Sequence, residues 1–191
     1  MKEAGGEPFP LGIARDNLED LRTQLRRGLE HDILIVSGGV SMGKYDLVEQ
    51  VFAEFGVEIL FDKIAMKPGK PTVFGHTGRA YVFGLPGNPI STIVSFHMFV
   101  RPLILFLLKA EDTAPKILRA KLEAPAKCDP ERAALVPALV RFDAGQYWIR
   151  TAPWKGSSDL VGLSRANALI MIPQHSGTLE QGETAQFLLM E

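Results

Sequence analysis

The sequence runs to 191 residues, 46% hydrophobic and 23% charged, with a formal net charge of −1. That is an ordinary globular balance with ample length for a core, and it excludes a global electrostatic pull toward nucleic acid or a membrane surface. The lone Cys128 excludes an intrachain disulfide and fits a reducing compartment.

The stretch Met1 to Gly12 lacks the basic-then-apolar layout of a secretory signal, so cytoplasmic residence is expected. Ile13 to Arg15 reads as a strand end or a loop. Asp16 is placed to cap a helix whose Leu18, Leu21, Leu25 and Leu29 share one face, with Arg22, Arg26 and Arg27 on the solvated side. Next comes an apolar run, Ile33 to Val36, that breaks abruptly into Ser37, Gly38 and Gly39. This is the pattern of a buried parallel strand feeding a glycine-rich loop and a helix. The helix is expected from about Leu47 to Phe55, closed by Gly56.

Val57 to Ile64 is strand-like and runs into Met66-Lys-Pro-Gly-Lys-Pro71, which is expected to be irregular. Thr72 to Gly75 and Arg79 to Leu85 make two short strands, with His76-Thr-Gly78 as their turn. Gly84-Leu-Pro-Gly-Asn-Pro-Ile-Ser91 then turns the chain into a long apolar helix, Ile90 to Leu108. Asn88 suits its N-cap and Pro89 its first turn. Ser95, His97, Arg101 and Pro102 interrupt that helix, which favours a buried or interface helix over a bilayer span. Alternating strands and helices make this half an α/β layer fold.

After Lys109 the composition changes. Glu111 to Pro115 reads as a linker, and five strand-like runs follow: Ile117 to Leu122, Leu135 to Phe142, Tyr147 to Thr151, Ala168 to Ile172 and Ala185 to Leu189. Turn signals at Asp129-Pro130, Ala144-Gly145 and Ser176-Gly177 separate them, as in a small β-barrel or sandwich.

Three constellations can carry chemistry. Gly38 to Lys44 spells G-x-x-x-x-G-K, but Tyr45 stands where a nucleotide-binding P-loop needs a Ser or Thr for magnesium. The loop is either a structural turn or a cradle for another anion. Ser41 either donates to that anion or caps the turn, and Asp46 is either an N-cap or a magnesium ligand. Lys67 and Lys70 flank a stiff Pro-Gly turn, which fits a solvated tip as well as two point charges converging on one oxyanion. The turn from Gly84 to Ser91 repeats the first device, with Gly87 and Asn88 at a helix start and Ser91 as a further donor. Two such loops in one α/β layer favour a ligand beyond the strand ends. Arg132, Ser157 and Ser158 stand in the only other polar clusters and alone mark nothing beyond surface loops. His31, His76, His97 and His175 have no metal-ligand spacing.

Ser37 to Asp46, Met66 to Pro71 and Gly84 to Ser91, together with Leu163-Ser-Arg-Ala-Asn-Ala-Leu169, resemble the MoeA family of molybdopterin molybdenumtransferases, related to the gephyrin E domain. The resemblance covers the chain from Gly12 onward. It implies a three-layer, MogA-like α/β molybdopterin-binding domain over residues 1–109, lacking its first strand. A small β-barrel domain over residues 110–191 follows. It also implies a reaction, the insertion of molybdate into adenylylated molybdopterin with release of AMP and help from Mg2+. Lys67 and Lys70 match the oxyanion site, with Ser91 and the backbone around Pro71. Arg132 and Ser157 or Ser158 match the arginine and serine that the C-terminal domain lends to that site. Gly38, Gly39, Gly87 and Asn88 match substrate-binding loops, and Ser41 and Asp46 the phosphate end, Asp46 being the candidate metal ligand. Lys44 departs from the acidic residue common in relatives. The family's full-length members are homodimers that carry further domains before this point, and neither nucleic acid nor a membrane is expected as a partner. A non-catalytic binding or scaffold module is the alternative reading, and an adenylyltransferase of the MogA type fits the motifs less well.

Overall fold

Leu18, Leu21, Leu25 and Leu29 do form one helical face, and α1 spans Leu18–Gly28 with Leu21 and Leu25 buried. Its cap is Asn17 rather than Asp16: the extended Asn17 backbone lets its side chain accept from the Asp20 N–H at 2.9 Å. In this computed structural model the described residues are 1–39, 47–127, 131–154, 156 and 159–190. They form two units, Met1–Ile64 with Gly69–Ala110, and Ala65–Pro68 with Glu111–Glu191.

The first unit is built on β1 (Ile33–Ser37), α2 (Leu47–Glu54) and β2 (Glu58–Phe61), followed after a further short strand by β4 (Val73–His76) and β5 (Tyr81–Leu85). That further strand is β3 (Met66–Lys67), which belongs to the second unit. The sheet order is β1-β5-β4-β2, with β1 and β5 parallel and the other pairs antiparallel. Thr77 and Ala80 close the β4–β5 turn. Strand alternation sends Leu34, Val73 and Val82 to one face, where Leu21, Leu25, Val51 and Phe52 cover them. Phe83 and Leu85 face the other way, against Ala4, Val100 and Ile104. Helices on both faces make the three layers expected. A fully buried Phe or Val contributes about 1.5–3 kcal/mol, so these two faces account for most of the unit's stability.

β1 is an edge strand among the described residues, with Leu34 buried, Ile33, Ile35 and Val36 half-buried and Ser37 exposed, rather than the fully buried strand its composition suggests. Cavities of about 630 and 490 Å³ open along it, the first lined by Leu11–Ala14 and α1, the second by Gly5–Gly12 and Ile104.

The apolar run is not one regular helix. α3 (Pro89–Ser95) passes through a π-helical segment, Phe96–Val100, into α4 (Arg101–Leu107). Pro102 has no N–H for the carbonyl four residues back, and the widened turn before it absorbs the mismatch. By length and composition Pro89–Leu107 is long and apolar enough to cross a membrane, yet Ile90, Val94, Val100 and Ile104 are buried inside the unit. Burial, and then the nearby Arg101 charge, hold the His97 imidazole below its usual value, with Glu3 acting in the opposite sense.

In the second unit β6 (Ile117–Leu122), β7 (Ala126–Lys127), β8 (Ala133–Asp143), β9 (Gln146–Thr151), α5 (Leu160–Ser164), β10 (Ala168–Ile172), β11 (Thr178–Leu179) and β12 (Thr184–Leu189) follow in order. The long β8 pairs with β9 through its second half and with β10 through its first. Since β9, β6, β12 and β10 are linked in sequence, the sheet closes into a barrel. Ala120, Leu122, Val136, Ile149, Ile170 and Phe187 fill it. β7 and β11 form a separate ribbon. Met66–Lys67, expected to be irregular, is β3, and it adds to the barrel sheet parallel to Ala133–Ala134. A single division between residues 109 and 110 therefore assigns Ala65–Pro68 differently from the contacts. Asn167 binds both backbone groups of Val140 through its side chain, which gives the Leu163–Leu169 stretch a structural task.

Candidate functional site

The register of the first sheet gathers the loops. Val36 lies opposite Gly84, and Gly84 opposite Val73. The ends of β1 and β5 and the start of β4 therefore share one end of the sheet. Gly38 and Gly39 leave β1 there, Gly87 and Asn88 leave β5, and Lys70 and Pro71 lead into β4.

At that end the two glycine loops touch backbone to backbone. The Gly38 N–H donates to the Leu85 carbonyl at 3.0 Å, extending the ladder one residue past β1. A Cβ on Gly87 would lie 3.3 Å from the Gly38 Cα. Gly38 and Gly39 hold φ of 87° and 72°, which L side chains rarely adopt, and a Cβ on Gly39 would also lie 2.9 Å from the Val48 Cγ2. The first cavity reaches these two glycines and Ser37.

Asn88 caps α3 by accepting from the Ile90 and Ser91 N–H groups at 3.0 and 3.3 Å. Those two donors are thereby engaged within the helix, and Ser91 is buried at 7% exposure. The helix start is thus a satisfied cap, with its Ile90 and Ser91 backbone donors engaged by Asn88.

Lys70 is exposed, while Pro68, Gly69 and Thr72 beside it are buried. Its carbonyl accepts from the Ile64 N–H at 2.9 Å. Lys67 is also exposed and lies in β3 of the second unit. Arg132, half-buried, immediately precedes β8. Ser41, Asp46, Ser157 and Ser158 lie outside the described residues. Among the described residues no group of three His, Cys, Asp or Glu side chains gathers to hold a metal. The pair that sequence reasoning missed is Thr72 and Ser95, both buried at 0% exposure. A hydroxyl at the start of a strand and another inside an apolar helix were the available signals.

Residues 1–105 match a model described as a probable molybdopterin binding domain, and residues 119–190 match the MoeA C-terminal region (domain IV). A molybdopterin molybdenumtransferase of Bacillus subtilis (strain 168) is 33% identical over 189 residues, covering 98% of this chain and 44% of the relative. One from Staphylococcus aureus (strain Mu50) is 30% identical, covering 95% of this chain and 44% of its own length. The solved molybdopterin biosynthesis MoeA protein of Pyrococcus horikoshii superposes with a TM-score of 0.81 at 30% identity, over 100% of this chain and 45% of that one. A molybdenum cofactor biosynthesis protein of Pyrococcus furiosus gives a TM-score of 0.75 at 25% identity, over 98% of this chain and 60% of that one. The chain spans less than half the length of these curated relatives.

Helices on both faces of a mixed sheet in the first unit, and a closed barrel in the second, are the architecture of a molybdopterin-binding α/β domain followed by a β-barrel domain. The chain belongs to the molybdopterin-binding domain family, and with the MoeA C-terminal region at residues 119–190 it corresponds to a C-terminal portion of MoeA.

Proposed function

We propose that this chain serves molybdenum cofactor biosynthesis as the substrate-binding portion of a molybdenumtransferase. The reaction inserts molybdate into adenylylated molybdopterin with release of AMP. The observation that carries the reading is the sheet register, which brings the Lys70–Pro71 turn and both glycine loops to one end of the sheet. Such a reaction asks the protein for charge placement and orientation and needs no protein nucleophile.

In this reading Lys67 and Lys70 offset the charge of the molybdate dianion, with donors from Ser91, Arg132 and Ser157 or Ser158. Gly38 and Gly39 let the phosphate-bearing substrate approach the backbone. Gly87 keeps the two loops in contact, and Asn88 fixes the helix beneath them. Ser41 and Asp46 serve the phosphate end. Magnesium bound there, with Asp46 as its ligand, would neutralise phosphate charge. The active assembly is a homodimer in the cytoplasm.

The test is molybdate binding by Lys67→Ala and Lys70→Ala variants, followed by AMP release from adenylylated molybdopterin. Weakened molybdate binding with the fold intact is expected, and unchanged affinity in both variants refutes the reading. A non-catalytic binding or scaffold module is the alternative reading. Absence of AMP release even when the remaining portion of a relative is supplied would select that module.

A further inference from the structure

Thr72 and Ser95 are both completely buried, Thr72 where the Lys70 turn enters β4 and Ser95 at the last residue of α3. The Thr72 Oγ1 donates to the Gly69 carbonyl at 2.7 Å and lies 2.8 Å from the Ser95 Oγ. A hydroxyl has one proton. With that proton on the Gly69 carbonyl, Ser95 must be the donor in the second bond. The relay therefore runs from the Ser95 hydroxyl to the Thr72 hydroxyl to the Gly69 carbonyl.

Buried hydroxyls are costly unless bonded, and two apolar side chains would pack β4 against α3 equally well. What the hydroxyls add is a grip on one carbonyl of the turn. That carbonyl belongs to the peptide on the N-terminal side of Lys70. The peptide on its C-terminal side is held too, because the Lys70 carbonyl accepts from the Ile64 N–H at 2.9 Å. Both peptides flanking the Lys70 Cα are thus held by hydrogen bonds, one to the buried Thr72 and one to the half-buried Ile64, while the Lys70 side chain is exposed.

We infer that Ser95 and Thr72 are positioning residues for Lys70, their hydroxyl relay fixing the backbone from which its ammonium group meets the oxyanion. The inference rests on the molybdate-binding reading above and adds two residues that touch no substrate. Preorganisation of this kind acts through geometry, and a displacement of about 1 Å can cost up to about 100-fold in function.

The experiment compares the wild-type chain with Thr72→Val, Ser95→Ala, Thr72→Ser and the controls Lys67→Ala and Lys70→Ala. Nitrogen-15 relaxation reports the order of the Lys70 amide, and calorimetric titration reports affinity for molybdate and for adenylylated molybdopterin. Thr72→Val and Ser95→Ala should loosen the Lys70 amide and weaken molybdate binding about 10-fold. Affinity for adenylylated molybdopterin should hold, and Thr72→Ser should restore both losses. Ser95→Ala removes one atom, so it carries the test if Thr72→Val fails to fold. A pair that only stabilises the fold would lower Tm and leave Lys70 order and molybdate affinity unchanged, which would overturn the inference. Intact molybdate binding in Lys70→Ala overturns the inference, and intact binding in Lys67→Ala as well overturns the functional reading with it. Weakened binding in Lys70→Ala, with no change in Thr72→Val and Ser95→Ala, overturns the inference alone.

Discussion

Asn88 offers the sharpest test of how the loop end is held. Its carboxamide oxygen accepts from two N–H groups, those of Ile90 and Ser91 at 3.0 and 3.3 Å, and the helix it starts buries Ile90 and Val94 completely. If capping is its task, replacement by Ala should cost about 1 kcal/mol and replacement by Gly only a few tenths. Asp should retain the cap and gain from its charge at a helix N-terminus. In a unit of roughly a hundred residues, about 1 kcal/mol moves Tm by about 4–8 °C. The expected order of Tm, followed by circular dichroism on ligand-free protein at neutral pH, is Asn and Asp highest, Gly slightly lower and Ala lowest. A shift of less than about 1 °C in Asn88→Ala, or equal losses in Ala and Gly, would refute the capping argument. Asn88 would then be kept for something other than the helix.

Three further outcomes follow from the same physics. Gly39→Ala must hold φ of 72° with its Cβ 2.9 Å from the Val48 Cγ2. It should lose about 1–2 kcal/mol in urea unfolding from the left-handed backbone, and an unchanged midpoint would count against the loop geometry. Phe187→Ala removes a fully buried ring from the barrel core and should cost about 3–5 kcal/mol, read from the urea transition of that unit. His97 sets a pH dependence. Burial and Arg101 lower its folded value, so the unfolded chain takes up the proton first, and stability is full above about pH 6.5 and declines as the pH falls below it. His97→Gln should flatten that decline in urea melts taken at about pH 7.5 and about pH 5.5, and an identical slope would remove His97 as its source.

Much of the fold was legible because its local signals agree. Ala168–Ile172 reads directly as an apolar strand, and Ile117–Leu122 as a strand in which Arg119 and Lys121 alternate with apolar residues. What escaped depends on distant partners or on short segments. A two-residue strand such as Met66–Lys67 has no periodicity to detect and exists only because Ala133–Ala134 lies beside it. Barrel closure rests on β8 serving two neighbours, which no local pattern announces. The π-helical turn before Pro102 reads in sequence as continuous helix, since one widened turn leaves the apolar run unbroken. At the candidate site the glycines, lysines and prolines stood out because their chemistry is distinctive. Thr72 and Ser95 did not, because a hydroxyl in an apolar run looks like an interruption until its partner is known.

The four-residue excursion at Ala65–Pro68 bears on how this chain can be taken apart. The polypeptide passes between its two units three times, after Ile64, after Pro68 and after Ala110. A cut at the last crossing alone strands Met66–Lys67 away from the barrel strand that gives it its shape. Engineers who transplant the carboxyl-terminal module onto another host must bring this short loan with it, or find Lys67 delivered to the wrong address.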